Sequence, residues 1–332
     1  MLTRTSALAL AAKKSAVASL APAKFYTALV AFGASYTDNG HARAAAYAGS
    51  LRNYYPYSKY HGTYANGRVA VEYMASGASP ALKKGASAVN LLDYAYGGSV
   101  ISNGLTNTNS NSGLASDGQV AAYLSDLSSG AAKIGAGRVL HYFNTGINSV
   151  SQIWLDATYS QLSASAKATA SAAITTNIQS LAATIRSINT NAAVASKIHG
   201  ADFMIVGIPP LEVVPTFSNQ VGGNATQLAF LKTLTAQFNA ELKTLTTALK
   251  GEAKNGGKVT YYDLASLWRS FLSSPKTYGI TQSPVNTPCY NSVTGGLCTD
   301  PTKFLYYDTL HPVTSVHLKI ADKLTALANA AL

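Results

Sequence analysis

Short apolar runs alternate with longer amphipathic segments along most of this chain. The runs are rich in strand-forming residues and predict buried strands over residues 27–32, 139–143, 203–208, 259–264 and, with a weaker pattern, 89–94. The amphipathic segments predict helices over residues 118–127, 164–188, 226–249 and 314–331. Strands that alternate with helices form a parallel sheet covered on both faces. The sequence therefore predicts an α/β fold, and no repeat or domain linker interrupts it.

The composition narrows the class of protein further. Of the 332 residues, 47% are hydrophobic and 12% are charged, which supports a full core and excludes a disordered chain. The formal net charge is +11, but the densest basic clusters are only the pairs Lys13-Lys14 and Lys83-Lys84. Because no recognition motif accompanies them, we expect no nucleic-acid partner. No run of 18 apolar residues occurs, so we also expect no stable membrane insertion.

The first residues resemble an export signal. Arg4 precedes a short apolar run at residues 6–12, although Lys13-Lys14 interrupts the pattern early. Ala21-Pro22-Ala23 offers a small-residue cleavage site. We therefore predict a signal peptide or leader over residues 1–23, a secreted protein, and a single domain over residues 24–332. The alternative is a disordered or transit-like leader.

Two further features depend on the compartment. Cys289 and Cys298 are the two cysteines, and eight residues separate them, which is not a metal-binding spacing. They are either two buried free thiols or one disulfide, and export favours the disulfide. Asn224 begins the sequon Asn-Ala-Thr and would be glycosylated only in an exported protein.

A candidate nucleophile follows the first predicted strand. The segment FGASYTD, residues 32–38, places Ser35 at the carboxyl edge of the sheet, where open α/β sheets bind their ligands. Gly33 permits a tight turn there. Thr37 stands where a G-x-S-x-G elbow would have its second glycine, so that elbow is absent. Taken alone, a serine after a glycine is more often an ordinary turn or helix-cap residue than a nucleophile.

A candidate base and its carboxylate lie near the other end of the chain. The motif YDTLHP, residues 307–312, contains Asp308 three residues before His311. A serine nucleophile needs a general base, and an imidazole needs a carboxylate to hold its tautomer. Alone, the motif also fits a helix-entry turn with solvated side chains. The other histidines, including His141 and His317, have no partner at metal or catalytic spacing, so we expect surface or core positions for them.

Two segments offer hydrogen-bond donors for a developing oxyanion. Asn148 follows the predicted strand at residues 139–143 and can present its side-chain amide at the sheet edge. Gly98 follows the weaker strand and can offer a backbone N–H that no side chain obstructs. Acyl transfer needs such preorganised donors. Alone, each segment fits a simple turn.

Together, in this order and spacing, these segments resemble the four blocks of the SGNH or GDSL hydrolases. Residues 33–35 resemble the G-D-S block, Gly98 the glycine block, residues 146–148 the G-x-N-D block, and residues 308–312 the D-x-x-H-P block. Further similarity, at residues 64–73, 209–211 and 298–301, is to the secreted fungal GDSL esterases, a group with carbohydrate acetylesterases and lipases. The resemblance extends from Phe25 to the C-terminus.

The resemblance implies both a fold and a mechanism. The fold would be a three-layer α/β/α sandwich, flavodoxin-like, with a parallel sheet of about five strands. Ser35 would attack an ester, His311 would take its proton, and Asp308 would orient His311. The backbone N–H groups of Ser35 and Gly98, with the Asn148 side chain, would form the oxyanion hole. No cofactor or metal is implied.

The expected substrates are short acyl esters of a small molecule or polysaccharide, with acetylated carbohydrate as the expected class, and the expected enzyme is a monomer. A lipase for longer acyl esters is the nearest alternative. Ala34, Ser149 and Asp93 replace the usual Asp, Asp and Asn of the blocks. These departures leave open a catalytically weakened relative that binds carbohydrate. The net charge leaves open a basic surface protein that contacts nucleic acid or membranes.

Overall fold

A five-stranded parallel sheet forms the centre of the molecule. The computed structural model describes residues 20–40, 62–76, 81–86, 88–106, 114–291 and 294–332. The strands are β1 (Tyr26–Gly33), β2 (Asn90–Asp93), β3 (Arg138–Asn144), β4 (Ala201–Val206) and β5 (Val259–Tyr262). Their order is β2-β1-β3-β4-β5, and every pairing is parallel. This is the flavodoxin-like order, and it confirms the predicted fold class.

Helices cover the sheet in two groups. The described helices are α1 (Ala70–Ala75), α2 (Ser116–Ser129), α3 (Ile147–Tyr159), α4 (Ala164–Thr190), α5 (Ala192–Lys197), α6 (Pro215–Gln220), α7 (Ala225–Leu249), α8 (Leu264–Ser273) and α9 (Thr314–Ala330). Helices α1 and α9 pack together, while α2, α3, α4 and α7 pack in a second group. A short antiparallel hairpin, β6 (Tyr290–Asn291) and β7 (Gly296–Leu297), lies outside the sheet. The result is a three-layer α/β/α sandwich.

The apolar runs became strands because both of their faces are covered. Each residue of β3 and β4 is buried, so neither strand shows the alternation of a half-exposed sheet. Aromatic rings fill the space beside β1, where Phe32 stacks on Phe143 with ring centroids 4.8 Å apart. Burial of this kind contributes roughly 1.5–3 kcal/mol for each large apolar side chain.

Most predicted boundaries differ from the structure by one or two residues, and helices α1, α3, α5, α6 and α8 were not predicted. The strand expected over residues 259–264 ends at Tyr262, because the Asp263 side chain accepts a hydrogen bond from the Ser266 N–H and starts α8. Helix α3 was not predicted, although Val150, Trp154 and Ala157 are buried at helical spacing along it.

A buried ion pair lies at the amino edge of the sheet. Arg138 begins β3 and donates to Asp202 near the start of β4, with Nε–Oδ2 at 2.8 Å. Tyr26 adds its hydroxyl to the same carboxylate at 2.9 Å. Because all the strands are parallel, this cluster lies at the opposite edge from Ser35, and its role is to satisfy buried polar groups.

The start of the chain is described only in part. Residues 1–19 of the predicted leader lie outside the described residues. Ala23 donates its N–H to the His199 carbonyl at 2.7 Å and accepts from Arg138 at 3.3 Å. These bonds place the last residue of the predicted leader against the domain. Within the described ranges, we find no helix with the length and apolar character needed to cross a membrane.

Candidate active site

Three predicted residues form a hydrogen-bonded line at the carboxyl edge of the sheet. The Nε2 atom of His311 lies 2.8 Å from Ser35 Oγ, and its Nδ1 atom lies 2.7 Å from Asp308 Oδ2. Ser35 follows β1, while His311 lies just before α9. In this strand order the connections diverge between β1 and β3, which is where open α/β sheets bind ligands. The arrangement has the geometry of a nucleophile, a base and a group that orients the base.

The surroundings of the Asp308 carboxylate favour its ionised form. Its Oδ1 atom accepts the backbone N–H groups of Leu310 and His311, both at 2.7 Å, and Oδ2 faces the imidazole. Burial acts to raise the pKa of Asp308. The His311 charge and these hydrogen bonds outweigh it, so the pKa lies below the usual value. An ionised Asp308 favours the tautomer of His311 with its hydrogen on Nδ1, in which the Nε2 lone pair faces Ser35 Oγ.

Hydrogen bonds within the turn and from helix α2 hold the backbone around Ser35. The Ala34 carbonyl accepts the backbone N–H groups of residues 37 and 38, both at 2.9 Å. The Gln119 amide on α2 pairs with both backbone groups of Gly33, accepting its N–H and donating to its carbonyl, each at 2.9 Å. The backbone on both sides of Ser35 is therefore held by hydrogen bonds.

The two predicted oxyanion segments meet beside this turn. Asn148, in the first turn of α3, donates its side-chain N–H to the Ser99 carbonyl at 2.9 Å, next to Gly98. An amide nitrogen carries two hydrogens, so the second remains for a substrate oxygen. Gly98 has φ of 78°, a left-handed conformation that favours glycine. The structure thus places Asn148 next to the segment that contains Gly98.

A carboxylate absent from the predicted site links the glycine segment to the Ser35 turn. Asp38 accepts the Gly97 N–H at 2.7 Å through Oδ2 and the Gly40 N–H at 2.8 Å through Oδ1. Asp38 is fully buried. The signal was available, since Asp38 stands three residues after Ser35 in the same block, but a role could not be assigned without the facing loop.

The replaced block residues keep hydrogen bonds in the structure. Ser149 Oγ accepts the Ile101 N–H at 3.0 Å. Asp93 accepts the Asn39 N–H at 3.0 Å and the Ala95 N–H at 2.9 Å. Burial and then the Asp38 charge raise the pKa of Asp93 well above its usual value. Ala34 contributes only its backbone. The loops around the site are therefore still bonded at two of the three positions.

The turn that carries His311 is held from three directions. Tyr36 donates its hydroxyl to the Leu310 carbonyl at 2.7 Å, and the Thr216 N–H at α6 donates to the Thr309 carbonyl at 2.9 Å. Asn66 Oδ1 accepts the N–H of Thr314, the first residue of α9, at 2.9 Å. These partners were missed. Tyr36 and Asn66 lie in segments that the resemblance had marked, while nothing in the sequence pointed to Thr216.

The two cysteines form a disulfide near the same turn. The Cys289–Cys298 bond is present and confirms the predicted pairing. Cys289 donates its N–H to the Tyr306 carbonyl at 3.0 Å, and Tyr290 donates to Tyr307 at 2.6 Å. The crosslinked hairpin therefore braces the residues that lead into Asp308.

The predicted glycosylation site lies elsewhere, at the start of α7. Asn224 is exposed, and its Oδ1 atom caps the helix by accepting the Gln227 N–H at 3.1 Å. This bond uses the oxygen of the side chain and not the nitrogen that would carry a glycan. Glycosylation stays a prediction.

Comparisons with known proteins give the same assignment over most of the chain. The family model described as GDSL-like Lipase/Acylhydrolase matches residues 29–324. The GDSL esterase/lipase EXL5 of Arabidopsis thaliana is 28% identical over 129 residues, which are 38% of this chain and 36% of the relative. EXL4 of the same plant is 26% identical over 125 residues, 37% of this chain and 36% of the relative. The matched stretches thus span about a third of the length of these relatives.

A solved structure is similar over a larger share of both chains. Est24, a carbohydrate acetylesterase from Sinorhizobium meliloti, aligns with 90% of this chain and 99% of its own, with 15% identity and a TM-score of 0.40. The family itself follows from the model match over residues 29–324, which include Ser35, Gly98, Asn148, Asp308 and His311. The chain belongs to the GDSL-like lipase/acylhydrolase family.

Proposed function

We propose that this protein is a serine ester hydrolase that works through an acyl-enzyme and acts on short acyl esters of carbohydrate. The observation that carries the proposal is the line from Ser35 through His311 to Asp308, with contacts of 2.8 and 2.7 Å. A hydroxyl becomes an effective nucleophile when a base lies within hydrogen-bond reach and a third group orients that base. Both conditions are met at the carboxyl edge of the sheet.

In the acylation step, Ser35 Oγ forms a bond to the carbonyl carbon of the ester, and its proton passes to His311 Nε2. The electron pair of the C=O double bond moves onto oxygen. The tetrahedral intermediate then collapses, the bond to the alcohol oxygen breaks, and Nε2 returns the proton to the leaving alcohol. Asp308 stabilises the positive imidazolium that exists between these two transfers.

The oxyanion would be bound by the backbone N–H groups of Ser35 and Gly98 and by the free hydrogen of the Asn148 amide. Hydrogen bonds hold these donors in place before substrate arrives, since Asn148, in the first turn of α3, is tied to Ser99 and Gly97 to Asp38. Preorganised donors of this kind need no rearrangement as charge develops, and each contributes roughly 3–4 kcal/mol to lowering the barrier.

Deacylation follows the same order of steps, with water in place of Ser35 as the nucleophile. His311 Nε2 takes a proton from a water molecule as its oxygen bonds to the acyl carbon, and it then returns that proton to Ser35 Oγ as the acyl–enzyme bond breaks. The products are a free acid and the resting enzyme. Every step uses side chains of this chain and water, so no cofactor is required.

The substrate class is supported by the sequence more than by the contacts. Residues 64–73, 209–211 and 298–301 resemble the secreted fungal esterases, and no long apolar lid segment accompanies the four blocks. Both features favour a short acyl group on a carbohydrate over a long-chain lipid. Secretion is part of the same proposal, and mass spectrometry of the N-terminus of the exported protein tests it.

The test of the activity is hydrolysis of p-nitrophenyl acetate and labelling by a fluorophosphonate. We expect turnover and one labelled peptide containing Ser35. The variant S35A should lose about 10⁶-fold in kcat and all labelling. S160A, at an exposed serine, serves as the matched control. Full activity of S35A would remove Ser35 from the mechanism.

A chain-length series separates this proposal from a lipase. Rates on p-nitrophenyl acetate, butyrate, octanoate and palmitate should fall with length, and acetylated xylan should be deacetylated. A maximum at octanoate or palmitate would instead assign a lipase. Saturable glycan binding without fluorophosphonate labelling would assign a binding protein that has lost catalysis.

A further inference from the structure

One segment that the resemblance marked has no role in the mechanism above, yet it lies against His311. Residues 63–68 form a loop that closes on itself, because Thr63 Oγ1 donates to the Gly67 carbonyl at 2.9 Å. Two bonds fasten the loop to α9, from the Thr314 N–H to Asn66 Oδ1 and from Thr314 Oγ1 to the Arg68 carbonyl, both at 2.9 Å. We call residues 63–68 the anchored loop.

The anchored loop places the Tyr64 ring between the base and the glycine segment. The centroids of the Tyr64 and His311 rings are 5.1 Å apart, with the planes tilted by 35°. At its other end, the phenol crosses Gly97 so closely that a Cβ atom built there would lie 2.0 Å from the Tyr64 hydroxyl oxygen. Gly97 must therefore be glycine for Tyr64 to lie here.

The exposure of Tyr64 distinguishes it from the residues around it. Thr63 and Ala65 are fully buried, whereas Tyr64 keeps part of its surface exposed. Tyr36 also lies beside His311, with ring centroids 5.9 Å apart, but it is buried, and its hydroxyl donates to the Leu310 carbonyl. Of these two tyrosines beside the base, Tyr64 is the one that a substrate can contact.

The chemistry of the reaction indicates which part of the substrate Tyr64 would contact. The leaving oxygen must come within hydrogen-bond reach of His311 Nε2, since this atom returns the proton to the alcohol. The carbonyl oxygen must meanwhile point to the Gly98 N–H. A ring that contacts both His311 and Gly97 therefore borders the space on the side of the leaving alcohol.

We propose that Tyr64 is a specificity-determining residue that contacts the alcohol part of the ester and favours a sugar ring there. A phenol offers an apolar face and a polar hydroxyl, which suits the C–H face and the hydroxyl groups of a sugar. The inference rests on the proposed hydrolase function. It adds that alcohol selectivity, and not acyl selectivity, depends on this side chain.

The experiment compares two ratios of kcat/KM for wild type and Y64A. The first ratio, acetylated monosaccharide over ethyl acetate, varies the alcohol at constant acyl group. The second, ethyl butyrate over ethyl acetate, varies the acyl group at constant alcohol. We expect Y64A to lower the first ratio by about 3- to 10-fold, the value of one aromatic contact. The second ratio should stay the same.

Two further variants and a control keep the test decisive. Y64F retains the ring and should retain most of the first ratio, while Y64L replaces Y64A if the alanine variant does not fold. Y159A removes a tyrosine that is 77% exposed and remote from His311, and it should change neither ratio. These outcomes would support contact between the Tyr64 ring and the sugar.

Two results would overturn the inference. A change in the second ratio without the first would place Tyr64 at the acyl group. An equal loss on every ester, with a shifted pH dependence of kcat, would mean that Tyr64 positions His311 instead. Failure of the proposed function looks different, since wild type would then hydrolyse none of these esters or S35A would hydrolyse them normally.

Discussion

The Asp38 carboxylate accepts the Gly97 N–H at 2.7 Å, and this bond joins the turn of Ser35 to the loop that carries Gly98. The second oxygen of Asp38 accepts the Gly40 N–H at 2.8 Å. One buried side chain thus fixes the position of the candidate nucleophile relative to the candidate oxyanion donor. The bond also fixes Gly97 beneath the Tyr64 ring.

Replacing Asp38 tests this link. In D38N, one carboxylate oxygen becomes an NH₂ group that faces a backbone N–H, so one buried donor loses its acceptor. We expect the free energy of unfolding to fall by about 1–3 kcal/mol, measured by urea denaturation, together with a lower kcat. D263N is the control, because asparagine caps a helix about as well as aspartate at this exposed position. Equal stability of D38N and wild type would contradict the structural role.

Asp308 should affect the rate more than the stability. In D308N, the amide oxygen can still accept the Leu310 and His311 N–H groups, but the amide nitrogen cannot accept from His311 Nδ1. The imidazole then favours the tautomer with its hydrogen on Nε2, which cannot take the Ser35 proton. We expect kcat to fall about 10⁴-fold, the loss known for an equivalent change in a serine protease triad. D300N, at an aspartate whose side chain is 43% exposed, provides the control and should leave kcat unchanged. A fall in kcat of less than tenfold in D308N would argue against the assigned role.

Asn148 should contribute as one oxyanion donor among several. N148A removes both the bond to the Ser99 carbonyl and the hydrogen available to substrate. We expect kcat to fall by about 10²–10³-fold with little change in KM, because the donor acts chiefly on the developing charge. Q152A, on the next turn of α3, removes only a bond to Asp156 and should leave kcat unchanged. A loss confined to KM would show that Asn148 binds the ground state instead.

His317 should make the protein sensitive to acid. Burial, and then the charge of His311, lower its pKa from 6.5 to about 3, so the folded state resists a proton that the unfolded chain accepts. Stability from this residue is complete above pH 6.5 and is lost as the pH falls toward 3, with a slope of up to about 1.4 kcal/mol per pH unit.

The variant H317Q removes that contribution. The difference in unfolding free energy between wild type and H317Q, measured by urea denaturation from pH 7 to 4.5, should therefore shrink or reverse in favour of the variant as the pH falls. Asp93 acts in the opposite direction, because stability from a carboxyl with a raised pKa is lost as pH increases, but it is common to both proteins. Parallel curves for the two proteins would contradict the buried, neutral state of His317.

The disulfide should stabilise a local segment. Replacing both cysteines, in C289S/C298S, opens a loop with a sequence separation of 9 and should cost about 2–3 kcal/mol in the chain-entropy model. Because the hairpin bonds to Tyr306 and Tyr307, kcat should fall as well. Thermal unfolding and p-nitrophenyl acetate turnover measure the two effects. Under reducing conditions wild type should approach the variant in Tm, and a reducing agent without effect on wild type would count against the expectation.

Much of the fold could be predicted because burial on two faces leaves a simple pattern. Residues 27–32 and 139–143 are mostly apolar, and every residue of these runs except Thr27 is buried, as expected for a parallel strand covered on both faces. Helix α3 was missed, although Val150, Trp154 and Ala157 are buried at helical spacing along it. Leu264 was placed in a strand because its apolar character says nothing about the cap that Asp263 forms.

The candidate site also contains some residues that the sequence identified and others that it did not. The residue types of the four blocks identified Ser35, Asp308, His311, Gly98 and Asn148, because each block carries its own chemistry within a few positions. Asp38 follows Ser35 in the segment 32–38, and Tyr64 begins the matched segment 64–73, but their roles depend on Gly97 and His311, which lie elsewhere in the chain. Thr216 carried no local signal, because a threonine at a helix start has the same appearance whatever it contacts.

The sequence by itself determined the alternation of strands and helices, the residues able to attack, to accept a proton and to bind an oxyanion, and the family that combines them. Only the tertiary structure decided that Ser35 and His311, 276 positions apart, lie 2.8 Å from each other. The physical reason is that local pattern records which face of an element is buried, whereas distances between segments follow from how the sheet and both helix layers pack. Those distances, and not the residue types, allow a hydroxyl, an imidazole and a carboxylate to act together.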